Sequence, residues 1–273
     1  MSVDETALHK GEFYTMVTNK EAKGKKGSLA AIIKGTKSSV VSKAICDQVS
    51  VKKRFAVNEV TLDYSNSMEW ISNICFPAAI KTGDRFHSQM IVSEAVQEIR
   101  INLRRKAIDE ENELISNCKI ERRKYSPRRY SNEDSKKQLL ARSRYLLFKP
   151  QSKWTKSQKI RAEILFKEFP ELEKAYQLSM YFRNIFEISK TREEGKERLS
   201  KWYQKIDKSN LPTFLSAGQS VKNNEGKMLN YLYNRETNAS AESFNAKIKG
   251  FRSLLRGVRD IKFFLFRLEK LYA

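Results

Sequence analysis

Apolar residues recur in two rhythms along this chain. Near the start they come in short runs bounded by turn formers, and farther on they repeat every three or four positions. Phe13 to Val17 and Ser28 to Ile33 read as strands joined by the Lys- and Gly-rich turn Lys20 to Gly27. The runs Met1-Ser2-Val3-Asp4 and Val60-Thr61-Leu62-Asp63 read as two more short strands, each ending on an aspartate. Ser39 to about Lys52 carries Val40, Val41, Ala44, Ile45 and Val49 at helical spacing, and Ala78 to Gly83 reads as a fifth strand just before Asp84. A helix opening near Arg85 runs through Met90, Ala95, Ile99 and Leu103, and its later part, Arg100 to Lys106, is strongly basic. Ala162, Leu165, Phe166 and Phe169 share a helical face, and Leu172, Ala175, Tyr176, Ser179, Phe182 and Phe186 continue the pattern after Pro170.

The order strand, strand, strand, helix, strand is that of a ribonuclease H-like core, in which the first and fourth strands are neighbours. The expected fold class is α/β: a ribonuclease H-like mixed sheet flanked by helices and interrupted by a large all-α insertion before the last acidic motif. Residues 1–88 form the first part of the core, 89–222 the insertion anchored by Trp154 and Trp202, and 223–273 the C-terminal helices of the core. In open α/β sheets the crevice lies outside the carboxyl ends of the strands. Asp4 and Asp63 are therefore expected to converge there. Asp84 competes for the second position, but Asp63 is preferred because its strand follows the first crossover helix directly. Asp84, Arg85 and His87 instead open the next helix, close to the site.

A third acid stands in Thr237-Asn238-Ala239-Ser240-Ala241-Glu242. Asn238 or Ser240 can cap a helix there, since a short side-chain oxygen accepts from an otherwise unpaired backbone N–H. Phe244, Ile248 and Phe251 then share a buried face, while Glu242, Asn245, Lys249 and Arg252 follow on a polar one. That polar face suits a phosphate-handling cleft, and equally an ordinary solvated face with an acid near the helix N-terminus.

Charge narrows the choice of partner. The 273 residues hold 53 Lys and Arg against 32 Asp and Glu, a formal net charge of +21, while 40% hydrophobic residues suffice for a real core. Such an excess points to a polyanion, here DNA. No stretch approaches the roughly 20 apolar residues that span a bilayer, and acids within the first five positions are unlike a signal peptide, so a cytoplasmic protein with no membrane partner is expected. Cys46, Cys75 and Cys118 are widely spaced and read as reduced structural thiols. With only His9 and His87 beside them, a structural zinc cluster is not expected.

Four segments together resemble the DDE transposases of bacterial insertion sequences, specifically the ISL-three-like family. They are Val3-Asp4-Glu5 with Lys10 to Tyr14, then Thr61-Leu62-Asp63, then Phe76 to Ala79 running into Asp84-Arg85-Phe86-His87, and finally Thr237-Asn238 through Glu242, Asn245 and Ile248-Lys249. Ala239 departs from the glycine usual after Thr-Asn. The resemblance implies Asp4, Asp63 and Glu242 as catalytic residues and metal ligands. It also implies cleavage of DNA at element ends and strand transfer, in which the freed 3′-hydroxyl attacks a second phosphodiester. That chemistry calls for two Mg²⁺ or Mn²⁺ ions about 3.5–4 Å apart, and hard cations take carboxylate oxygens. The wider family carries a DNA-recognition part ahead of its first catalytic strand, whereas Asp4 is the fourth residue here. Either a separately encoded recognition protein acts in trans or the chain is a truncated remnant. A homo-oligomer on DNA is expected.

Lys119 to Tyr130 interrupts the helical pattern with Arg122, Arg123, Lys124, Arg128 and Arg129 among aromatics and a proline, as a loop against DNA or a solvated linker. The preceding Asp109 to Glu113 reads as a solvated helix face. Lys247, Arg252 and Arg256 extend the basic surface, and Phe251 to Ala273 reads as an amphipathic basic helix broken near Gly257, its apolar residues packed.

Overall fold

A computed structural model describes residues 1–9, 11–235, 239–255 and 260–273, apart from the side chains of residues 9 and 240. Lys10, Thr237, Asn238, Arg256 and Gly257 lie outside the described residues, as does the side-chain cap expected of Ser240. Two compact units are present. The first joins Met1–Ser88 with Asn224–Ala273, and the second is Gln89–Asn223.

The first unit is built on five strands: β1 (Ser2–His9), β2 (Glu12–Thr18), β3 (Leu29–Lys34), β4 (Glu59–Leu62) and β5 (Ile80–Gly83). Their order is β3-β2-β1-β4-β5, antiparallel from β3 to β1 and parallel from β1 to β5. Alternation along the strands sends side chains to two faces. Val3, Val17, Val60 and Leu62 meet Val41 and Ile45 of α1 (Ser38–Gln48) and Met68, Ile71 and Cys75 of α3 (Asn66–Cys75). Leu8, Tyr14, Met16 and Leu29 meet Phe244 and Ile248 of α10 (Ala239–Leu254) and Phe264 and Leu268 of α11 (Ile261–Tyr272).

Four expectations need correction. Asp4 does not end its strand: β1 continues to His9 because β2 pairs with it from Ser2↔Thr18 to His9↔Glu12, whereas β4 stops at Leu62. The helix expected from Ser39 to Lys52 breaks into α1 and α2 (Val51–Phe55), because Val49 turns extended and Arg54 Nε donates to its carbonyl at 3.2 Å. The helix opening at Arg85 reaches Ile120 as α4, so Lys119 is still helical; the run Asp109 to Glu113 is the largely exposed helix face expected, with Glu110–Lys136 at 2.7 Å and Glu111–Lys137 at 2.8 Å on it. The C-terminal apolar residues do not all pack. Phe264 and Leu268 are buried, while Leu254 is 81% exposed and Phe263 58%, since a single helix can turn only one side to the sheet.

The second unit is helical among the described residues. It holds most of α4, then α5 (Lys136–Arg142), α6 (Lys156–Glu168), α7 (Pro170–Ile188), α8 (Arg192–Asp207) and the start of α9 (Pro212–Asn234). Pro170 opens α7, where its missing N–H costs nothing. Trp202 is fully buried against Phe182, and its Nε1 donates to the Leu178 carbonyl at 2.9 Å. Trp154 packs with Phe166 and Tyr176. Buried Asp134 is paired with Arg142 and, at 2.9 Å, with Arg161.

Two outcomes are expected. A methyl group on Gly83 would run into the Tyr64 ring, so Gly83→Ala costs about 1–3 kcal/mol, read as a lowered Tm. The Cys75 thiol lies well above the usual range because it is buried and then because Cys46 lies beside it. Native protein at pH 8 therefore leaves Cys75 unalkylated, and mass spectrometry finds it labelled only after unfolding.

Candidate active site

Strand register assembles the site. Ser2 pairs with Thr61, so two residues farther on Asp4 stands beside Asp63, just past the end of β4. Leu62 pairs with Gly83, and the Asp84 amide donates to the Leu62 carbonyl at 2.9 Å, which brings Asp84 to the same level past β5. Three aspartates thus form a row across three adjacent strands. One step behind them runs a row of buried hydroxyl residues, Thr18, Ser2, Thr61 and Thr82, and Lys20 Nζ donates to Thr61 Oγ1 at 2.6 Å.

Each acid has its own surroundings. Asp4 Oδ1 accepts from the Glu5 amide at 2.8 Å, and Oδ2 accepts from Asn245 Nδ2 of α10 at 2.6 Å. Burial pushes the Asp4 carboxyl above its ordinary pKa, and the Asp63 and Asp84 carboxylates push it the same way. Asp63 Oδ1 accepts from the Ser65 amide at 2.9 Å, while α3 is capped by Ser65 itself, whose Oγ accepts from the Met68 amide. Asp84 is 1% exposed, and its Oδ2 lies 2.8 Å from His87 Nδ1. That bond is the main cause of the raised His87 pKa, and the carboxylates of Asp84, Asp63 and Asp4 add to it. Tyr64 fixes the backbone beneath them: its hydroxyl donates to the Asp84 carbonyl at 3.3 Å and contacts Ser88 Oγ.

The remaining residues singled out in the sequence fall in different places. Glu242 lies in the first turn of α10 with its side chain exposed, one turn before Asn245. Asn245 is 7% exposed, so it belongs to the buried side of α10 and not to the polar face expected from spacing; Lys249 does lie on the exposed side. Arg85 reaches the Tyr231 hydroxyl of α9 at 3.4 Å and lies over that ring. Lys247 Nζ donates to the Gly24 carbonyl at 2.8 Å, and Arg252 is half-buried. In the second unit, Arg122, Arg123, Lys124, Arg128 and Arg129 are all exposed, Arg123 paired with Glu121 and Arg129 donating to the Glu133 carbonyl. Asn245 and Lys249 were expected near the site from their spacing after Glu242; that Asn245 is bonded to Asp4 is visible only in the fold.

Among the described residues, no three His, Cys, Asp or Glu side chains are gathered closely enough to hold one metal ion. The donor chemistry at the row nevertheless suits a hard cation. The carboxylates repel one another, and Asn245 Oδ1 is buried beside Asp4 without a hydrogen-bond partner. No described helix is long and apolar enough to cross a membrane.

In comparison with known proteins, a family model described as a transposase aligns with residues 1–268. No curated protein and no solved structure matches.

The crowding of charge is measurable. Asp63→Asn keeps an oxygen for the Ser65 amide but removes a carboxylate that acts on Asp4. A raised folded-state pKa means that stability is lost as pH rises through the carboxylate range. Asp63→Asn therefore raises Tm by roughly a few degrees at pH 7 without divalent ions, and the gain shrinks as pH falls through the carboxylate range and Asp4 takes up its proton.

Proposed function

The chain belongs to the ISL-three-like DDE transposase family, its match running over residues 1–268, and on that premise we propose that the aspartate row belongs to a DNA cleavage and strand-transfer site. The single observation that carries this reading is the alignment of Asp4, Asp63 and Asp84 by strand register, with α10 tied to Asp4 through Asn245. The strand order, with β1 and β4 parallel and adjacent, supports a ribonuclease H-like core, and the helical second unit supports an insertion between its β5 and α10.

In this reading Asp4, Asp63 and Glu242 would hold two Mg²⁺ or Mn²⁺ ions. The ions supply charge stabilisation at the entering and leaving oxygens of the phosphodiester. Asn245 orients Asp4 by donating to one of its oxygens, and its own buried oxygen is left without a partner. Asp84 holds His87 in place, and Tyr64 with Gly83 sets the level of Asp84. The exposed arginines and lysines of residues 122–129, with Lys247 and Arg252, neutralise phosphates of the element ends and target. A homo-oligomer on DNA, working in the cytoplasm, completes the assignment.

The test is cleavage and joining of end-bearing DNA with Mg²⁺ or Mn²⁺, with and without a supplied recognition protein. Asp63→Asn and Glu242→Gln are each expected to lower both steps by roughly two orders of magnitude or more while leaving salt-sensitive DNA binding nearly intact. Full activity in both variants would overturn the assignment. Pre-cleaved ends separate a transposase from a nuclease of the same core, since only the former joins them.

A further inference from the structure

The basic run Arg100 to Lys106 lies on α4 and has no part in the roles assigned above. Within the second unit Arg100 is only 6% exposed. Its Nε donates to Gln97 Oε1 at 2.7 Å and its Nη1 to the Leu140 carbonyl at 3.0 Å. Gln97 Nε2 in turn donates to the Arg144 carbonyl at 3.4 Å, which holds the segment following α5 against this turn of α4. The charged groups that act on Arg100 are two more arginines, Arg144 and Arg104, and after burial they are what lowers its pKa.

This is an unusual way to bury a guanidinium. Taking a lone charge out of water is costly, and folded proteins ordinarily offset that with a carboxylate. Here an amide and a carbonyl hold the buried cation, and two cations face it. Asp134 in the same unit shows the ordinary arrangement, a buried charge met by Arg142 and Arg161. The cluster around Arg100 therefore presents a concentrated positive potential at its surface. Arg104 and Arg144 are exposed there. Arg144 lies over the Tyr145 ring with its guanidinium 5.6 Å from the centroid, and Tyr145 is 67% exposed.

We infer that Arg100, Arg104 and Arg144 form a seat for a backbone phosphate of DNA, with Tyr145 beside it as a platform for an unpaired base. Guanidinium forks match phosphate oxygens in pairs, which an ammonium cannot do. Stacking on an exposed ring tolerates any sequence, because every base has a flat face. The inference rests on the proposed function only in naming DNA as the polyanion. Arg100 shapes the seat from beneath, and Arg104 and Arg144 contact the phosphate.

The test uses the full chain in EDTA, with a labelled duplex and a labelled single strand followed by fluorescence anisotropy across a salt series. Arg104→Gln with Arg144→Gln is expected to weaken binding roughly tenfold and to cut the slope of log affinity against log salt by about 0.9 for each lost contact. Removing the same charge elsewhere in the unit, with Lys196→Gln and Lys208→Gln, leaves the slope nearly unchanged. Tyr145→Leu weakens the single strand more than the duplex. An unchanged slope in the arginine variant, or an equal fall in the lysine variant, overturns the seat. Equal weakening of both DNA forms by Tyr145→Leu overturns the stacking role. Wild-type cleavage by Asp63→Asn would sink the catalytic assignment and leave this seat standing.

Discussion

One pairing carries the rest: the short parallel contact between β1 and β4. Ser2 stands opposite Thr61, and the Thr61 amide donates to the Met1 carbonyl at 3.0 Å. Side chains on a strand alternate between faces, so a slip of one residue here would turn Asp63 away from Asp4 and carry Val60 and Leu62 out of the core against α1 and α3. The apolar face thereby enforces the polar one. Register is held by burial on the far side of the sheet, and the acids receive their alignment from it at no cost of their own.

The cost arises elsewhere, in like charges. Three carboxylates at one level of a sheet are an unfavourable arrangement for an isolated fold, and each is tied down by a neutral or oppositely charged donor. Asp4 has the Glu5 amide and Asn245, Asp63 has the Ser65 amide, and Asp84 has His87. A group of side chains that a fold must restrain in this way fits a purpose outside folding. The buried Arg100 follows the same logic with the sign reversed.

How much of this was legible in the chain depended on the range of the interaction. Periodicity located the strand ending at Leu62, the helix opening at Arg85 and the buried face of α7, because each is a property of neighbouring residues. Asp63 and Asp84 were visible as acids closing apolar runs. Which residues stand opposite one another was not visible, since register is a long-range result. For the same reason spacing along α10 put Asn245 with Glu242 and Lys249 on one polar face, whereas contact with β1 buries Asn245. The run from Arg100 read as strongly basic, but seven consecutive residues circle a helix, and only packing selects the arginine that turns inward. In the C-terminal helices, apolar character alone did not distinguish Phe264, against the sheet, from Phe263, on the outside.

The first unit is discontinuous, and synthesis runs in one direction. When β1 to β5 leave the ribosome, Leu8, Tyr14, Met16 and Leu29 have no α10 or α11 to cover them. The whole second unit must be translated first, a delay of about ten seconds at the usual elongation speeds of roughly 5–20 residues per second. During that interval the nascent chain carries a half-clothed sheet, open to misassociation or to a chaperone. The helical unit, local in its contacts, has time to mature before the last helices arrive to close the sheet.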